Sequence, residues 1–380
     1  MDNFECLIID NGSRTIKAGF SGEDSPASVF LNIVKRPKYA PRIVGMMHKD
    51  AYVGDEAQIR RNVPMIVSQS VSKGLITKWE DIEKVWLHTF YNELRRDPQE
   101  HPILMSDVCW NTTKNREKMS EICFETILVP SLNISNQSSL SLFASGKSTG
   151  VVFDSGYEVS RSIPVFEGLA LSDSVSTFDY AGKEITHYLF DLLIEKGYNI
   201  TPTSEMEIVG DVKEKLGLVA KDFNKEMERN EKKLEEMERK TYELPDGQII
   251  KIGYERFKMV EPMFDGKLFE NIFSIQNSIF YSILKNEIDL SNVFFSNIFL
   301  SGGSTMFSGM AERIERELKI KLEKEISKEM EVKVFSPPTR KYSCWIGASI
   351  FSSLSNFQTH CISKDLYGEY GPSIIRTKFF

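Results

Sequence analysis

The sequence is poor in the features that mark several large protein classes. It has no run of 18 apolar residues, which excludes a transmembrane helix. Cysteine and histidine are scarce, five of each in 380 residues. The cysteines run from Cys6 to Cys361 without a Cys-x-x-Cys pair, as expected of reduced thiols and not of a disulfide framework. The histidines form no His-Glu-x-x-His or His-x-His pattern, so no dedicated zinc site is expected. Positive charge is not in excess: 47 Lys+Arg against 54 Asp+Glu leave a net charge of −7. That balance offers no electrostatic footprint for nucleic acid or an anionic membrane. The opening residues MDNFE put acids ahead of a short apolar run, the wrong order for a signal peptide. The expectation is a soluble intracellular protein without membrane insertion.

What is present is a globular composition, 41% hydrophobic and 27% charged. A length of 380 residues suits two to three domains or one large duplicated α/β unit. The first strong signal is an apolar strand ending in a carboxylate and a turn, Leu7-Ile8-Ile9-Asp10-Asn11-Gly12-Ser13. A second strand follows at Thr15 to Phe20, so the pair reads as a β-hairpin. The pattern recurs at Val151-Val152-Phe153-Asp154-Ser155-Gly156, followed by Val159 to Phe166. A lone Asp-Gly turn is usually a surface hairpin. Two copies, 144 residues apart, each behind a buried-looking strand, predict two similar α/β halves facing a shared cleft.

Helices are expected over Asp81 to Leu94, Asn115 to Ile127 and Gly182 to Lys196. Lys221 to Lys240 holds 14 charged residues in 20 and reads as a solvated surface helix. Ile314, Leu318, Leu322, Ile326 and Met330 recur every four residues as a long amphipathic helix, and Val332 and Val334 alternate as a strand. A third glycine turn, Gly302-Gly303, follows the apolar Phe299-Leu300-Ser301 and precedes a helix expected near Ser308. Glycine there lets backbone N–H groups approach a ligand closely. Two hairpin tips with backbone donors and a carboxylate each are what a Mg²⁺–triphosphate needs. The amides would clasp phosphate oxygens, while Asp10 and Asp154 hold the metal through its waters. Lys17 would add positive charge at the β-phosphate.

The chain resembles actin and the actin-related proteins over nearly its whole length. The strings DNGSRTIKAGF (10–20), VGDEAQ (53–58), HTFYNELR (88–95), NREKM (115–119), FASGKSTG (143–150), YELPDGQ (242–248), LSGGSTMF (300–307), RKYSCWIGAS (340–349) and GPSI (371–374) carry the resemblance. It implies a duplicated two-lobed α/β ATPase fold, shared with hexokinase, with four subdomains and a central nucleotide cleft. The outer lobe would span 1–144 plus 343–380, with 32–70 its small subdomain. The inner lobe would span 145–342, with 181–271 its small subdomain. The cofactor implied is ATP or ADP with Mg²⁺. By resemblance, Asp10, Gln137 and Asp154 match the metal-associated positions, and Gln137 and Asp154 the catalytic ones. Gly12, Ser13, Lys17 and Gly156 match the phosphate contacts. Asp179, Gly182, Lys213, Glu214, Gly302, Gly303, Met306 and Lys341 match the nucleoside side. Phe307 takes a tyrosine position, keeping a ring for stacking on adenine, and Gly210 stands where actins carry an arginine.

The tips depart from the family pattern. Arg14 replaces a second glycine in the first. In the second, Tyr157, Glu158 and Arg161 replace an aspartate, a glycine and the histidine that helps orient water. Loss of glycine is expected to hinder phosphate approach and to make any positive φ costly. Glu158 should repel a γ-phosphate, and losing the water-positioning residues should slow hydrolysis by ~10²–10⁴-fold. Two roles for Arg14 stay open: pairing with Glu158 to latch the lobes, or neutralising phosphate. Lys73 replaces a histidine near the phosphates.

Filament surfaces are also altered. The loop Lys38 to Asp50 keeps its Val-Gly-Met, but the plug segment Phe264-Asp265-Gly266-Lys267-Leu268-Phe269 is one residue shorter and gains two charges. The acidic N-terminal cluster is reduced to Asp2 and Glu5, and about four residues are inserted around Lys319 to Glu331. Phe143, Ile350, Phe351 and Leu354 would line the groove where actin-binding helices dock. The preferred reading is a divergent actin-like or actin-related protein, cytoskeletal or complex-forming, that binds nucleotide and hydrolyses it little. Its partners would be other protein subunits or such helices, with weak or no homopolymer. Its place would be the cytoplasm, with the nucleus open. A conventional filament-forming actin ATPase is the second reading, and a small-molecule kinase of the same fold the third. No sugar-binding insert supports the last.

Overall fold

The computed structural model describes residues 5–38, 49–59, 64–199, 202–231, 240–244, 247–266, 273–326 and 330–378. The chain divides into two units, Met1–Ser148 with Tyr342–Phe380, and Thr149–Lys341.

The first unit is built on a six-stranded sheet. Its spatial order is Ile362–Ser363, Ser131–Asn136, Ile103–Asp107, Leu7–Asn11, Thr15–Phe20, Ser28–Leu31. Strand Leu7–Asn11 runs parallel to Ile103–Asp107, which runs parallel to Ser131–Asn136, while the outer pairings are antiparallel. Central parallel strands are covered on both faces, which is why Leu7-Ile8-Ile9 and Ile103-Leu104-Met105 are continuous apolar runs. Period-two alternation splits them between two cores. Leu7 and Ile9 join Val85, Trp86 and Phe90, whereas Ile8 joins Leu104, Leu140 and Trp345. On the second face the helices Gln137–Phe143 and Ser343–Ser352 meet at Gly347. A Cβ there would lie 1.8 Å from the Leu140 carbonyl oxygen, so only glycine lets the two backbones touch.

The two helices expected over 81–94 and 115–127 begin as α-helices, Trp79–His88 and Thr113–Glu121. Each then widens into a π-helical turn, Thr89–Leu94 and Ile122–Ile127. They stop at Arg95 and Leu128, both left-handed at φ 53° and 66°. Neither stop is glycine, and the first helix ends before Pro98.

In the second unit the sheet runs Leu169–Ala170, Ser160–Phe166, Gly150–Ser155, Ile298–Ser301, Val334–Phe335, with Ser176–Phe178 also paired to Ser160–Phe166. The repeat read in the sequence is real. In both units a strand ending in the Asp-turn lies between its antiparallel hairpin partner and a parallel strand from later in the chain. Helix Gly182–Glu195 occupies the expected span. The helix expected near Ser308 begins at Met310, because a 3₁₀ turn at Gly303–Thr305 and a left-handed Gly309 intervene. It ends at Glu325, short of Met330, and Val332 lies ahead of the strand, which holds only Val334–Phe335. Of the charged stretch 221–240, Phe223–Glu231 is helical and 232–239 fall outside the described residues.

A buried polar network crosses this unit. The Arg313 guanidinium is bidentate on Glu261, at 2.8 and 3.4 Å, and also donates to the Ala220 carbonyl and to Glu317, both at 2.7 Å. It lies 4.8 Å from the centre of the Phe264 ring. Burial pushes the Glu261 carboxyl up to about 7, against the pull of Arg313.

Candidate functional site

Each unit carries one Asp-turn assembly. Asp10 closes strand Leu7–Asn11 and stands directly across from Lys17, whose Nζ lies 2.8 Å from Asp10 Oδ2. Ser106 Oγ donates to Asp10 Oδ1 at 2.6 Å, Gln137 Nε2 at 3.3 Å and Cys344 Sγ at 3.3 Å. Burial by itself would raise the Asp10 carboxyl. Lys17, Ser106 and Cys344 outweigh it and hold the group below its ordinary value. Asp10 is therefore an anion at neutral pH, and Gln137, the first residue of its helix, is aligned on it.

The turn beyond Asp10 requires glycine: a Cβ on Gly12 would lie 2.5 Å from the Thr15 carbonyl oxygen. The Gly12 carbonyl accepts from Asn32 Nδ2 at 2.9 Å, and Ser13 Oγ accepts from the Gly74 N–H at 3.3 Å. Gly74 and Lys73 form the tip of the hairpin Val71–Ser72/Leu75–Ile76, both at positive φ, so Lys73 sits where glycine or asparagine is easier. Asn11 accepts from Trp86 Nε1 at 2.9 Å, yet its own Nδ2 is buried without a hydrogen-bond partner. Arg14 corrects one expectation. It is half-buried, its carbonyl accepts from the Asn32 N–H at 2.8 Å, and its φ is not positive. The backbone strain expected from losing a glycine is absent there, and equally absent at Glu158.

In the second unit the tip is bolted to the helix Gly182–Glu195. The Gly156 carbonyl accepts from the Gly182 N–H at 3.1 Å and from Ser304 Oγ at 2.7 Å, and the Tyr157 carbonyl accepts from the Lys183 N–H at 2.7 Å. Gly182 has no room for a side chain, since a Cβ would lie 2.7 Å from Ser304 Oγ. Gly302, at φ +90°, would clash with the Ser155 carbonyl oxygen at 2.3 Å and sit 3.0 Å from Asp154 Oδ1. Gly303 is open, and a Cβ added there would meet nothing within 4 Å. Asp154 is partly accessible, as are Tyr157 and Glu158, whereas Arg161 is buried.

The nucleoside-side residues are distributed unevenly. Lys213 is buried and donates from Nζ to the Gly182 carbonyl at 2.7 Å. Glu214 and Lys341 face each other at 3.4 Å, both partly exposed. Met306 is exposed and Asp179 is exposed. Phe307 is not a free stacking face: it is 7% exposed and packed in the core, where a Cβ on Gly217 would meet its ring at 2.4 Å.

The groove residues lie in the first unit. Ile350 and Leu354 are exposed, and Phe143 and Phe351 have ring centres 6.2 Å apart. Ile350 and Phe351 lie on the helix Ser343–Ser352, and Leu354 lies just past its end. Loop residues 39–48, plug residues Lys267 to Phe269 and Asp2 lie outside the described residues.

Sequence reading missed Ser106, Asn11, Asn32, Ser304 and Cys344. The available signal was a serine at or next to the end of each parallel neighbour strand, at ILMSD and IFLS. The assemblies fit a metal–nucleotide: a carboxylate held anionic, an orphaned buried amide at the first tip, and tight turns at Gly12 and Gly302 where a Cβ would strike the backbone. Among the described residues no cluster of three His, Cys, Asp or Glu could hold a metal by itself. No helix among them is long and apolar enough to cross a membrane. The actin family model matches residues 1–380, the whole length, and the chain belongs to the actin family.

Proposed function

We propose that this actin-family chain binds ADP or ATP with Mg²⁺ and hydrolyses ATP little, serving as a cytoskeletal or complex-forming subunit. The observation that carries the reading is the Asp10 assembly: a buried anion fixed by Lys17, Ser106 and Gln137 beside a turn only glycine can make. Asp10, Gln137 and Asp154 would hold the metal through its waters. Gly12, Ser13, Lys17 and Gly156 would meet phosphate, and the Gly302–Gly303 turn, Gly182 and Met306 the nucleoside. The bound ion would neutralise phosphate charge and orient the terminal group.

The second tip sets the preference between nucleotides. Glu158 puts a negative charge, and Tyr157 a bulky ring, where the family resemblance places the γ-phosphate. Mg–ADP is therefore expected to bind at least as tightly as Mg–ATP. Calorimetric titration with both nucleotides tests this, and an ATP affinity well above that for ADP would defeat it.

Association with itself is proposed to be weak. The plug segment carries two charges new to the family pattern, Asp265 and Lys267, and taking charge out of water at a subunit contact costs several kcal/mol. Light scattering at low micromolar protein should show no long homopolymer; filaments under ordinary polymerising salt would overturn the proposal. Partner helices would dock at Phe143, Ile350 and Leu354. The cytoplasm is the proposed compartment, and the nucleus is equally compatible.

A further inference from the structure

We propose that Arg161 is a protein-borne cation for Asp154, the second unit's counterpart of Lys17, and that it lowers the divalent-metal demand of nucleotide binding. The proposal rests on the nucleotide reading above.

The argument is the register. In the first hairpin Asp10 stands directly opposite Lys17, seven residues on, and the two are ion-paired at 2.8 Å. In the second hairpin Asp154 stands directly opposite Arg161, again seven residues on. Directly opposed residues of an antiparallel pair share a face, with Cβ atoms about 4.5–5.5 Å apart. An arginine side chain spans that distance with ease.

The match extends to the other neighbour. Asp10 receives Ser106 Oγ from its parallel strand, and Asp154 is in register with Ser301 on its own parallel strand. Each aspartate is thus set between a cation and a serine, and the duplication reaches the charges. Arg161 is only 8% exposed. A guanidinium so placed is stable only beside an anion or a full set of acceptors, and the carboxylate opposite is the nearest anion by register.

The family's histidine would give that position no fixed charge at neutral pH, whereas a guanidinium is charged at every working pH. Asp154 then has its counter-charge without a divalent ion. Phosphate approaching this unit meets a less negative surface, and removing the metal costs less affinity.

The test titrates ADP with Mg²⁺ and with EDTA, on the full chain and on Arg161→His and Arg161→Lys. The native chain and Arg161→Lys should lose no more than about threefold in affinity on metal withdrawal, and Arg161→His at least ~10-fold. Equal losses in the native chain and Arg161→His would overturn the proposal. Thermal melting of Asp154→Asn, Arg161→Met and the double variant without nucleotide reads the pair itself. The two losses should be non-additive by about 2–4 °C or more, and strict additivity would overturn the pairing. Non-additive melting with no ADP bound in either condition would instead sink the nucleotide reading while supporting the pair.

Discussion

Phosphate release from ATP is expected to be nearly absent in this chain and to rise by roughly 10²-fold or more when Tyr157→Asp, Glu158→Gly and Arg161→His are combined. The reasoning is chemical. Hydrolysis needs water held in line and relieved of a proton, and a permanently protonated guanidinium cannot accept one as a neutral imidazole can. Tyr157 removes a carboxylate from the same tip. Gln137 survives, yet its Nε2 is spent on Asp10 and on Ser106 Oγ at 3.1 Å, which leaves its carbonyl to position water. Single-turnover phosphate release on the native chain and the triple variant is the measurement. A native rate matching that of the triple variant would reject the loss of catalysis. The same assay with Arg14→Gly, Glu158→Gly and the pair, read alongside melting temperature, separates the two roles left open for Arg14 in the sequence: strictly additive stability changes would reject pairing with Glu158.

Arg313→Met is expected to be among the most damaging single substitutions for the folded second unit. It leaves Glu261, 4% exposed, without its cation, and deprives Ala220 and Glu317 of a donor. Breaking one side of a buried pair typically costs about 3–5 kcal/mol, or roughly 6–20 °C in melting temperature for a unit of this size. The sign of the pH dependence follows from Glu261. Its folded value, about 7, lies above the ordinary carboxylate value, so the folded state binds the proton more tightly. That contribution is complete below the ordinary value and is lost as pH rises through 7. Without Arg313 the value rises further, so the variant should melt lower at pH 8 than at pH 6, by more than the native chain does. A melting temperature within about 2 °C of native at both pH values would show that the network carries little stability.

Much of this was legible in the chain. Both hairpins, the parallel arrangement that buries Leu7-Ile8-Ile9, and the glycine demand at residues 12 and 302 follow from local pattern, because strand periodicity and turn chemistry are short-range. What was not legible depended on partners distant in sequence. Ser106 and Cys344 reach Asp10 across 96 and 334 residues. Phe307 moved from an expected stacking face into the core because Gly217 makes room for its ring, which no motif announces. The strain expected at Arg14 and Glu158 failed for a different reason: a glycine in a family pattern marks what some backbones need, and this backbone reaches the same turn with ordinary dihedrals. The helix ends at Leu94 and Ile127 fall where the sequence pattern put them, but the π-helical turns that close both helices had no local signal.

The contact at Gly347 has a mechanical side. Helices separated by side chains can shift past one another by about 1–2 Å as rotamers reset. At Gly347 there is nothing between the backbones to reset. A push on the exposed edge of the Ser343–Ser352 helix, where Ile350 faces solvent, must carry Leu140 with it. Leu140 lies one turn along the helix that Gln137 begins, and Gln137 is fastened to Asp10. The apolar edge and the anchored carboxylate therefore belong to one stiff body, joined through a contact a single methyl group would prise apart.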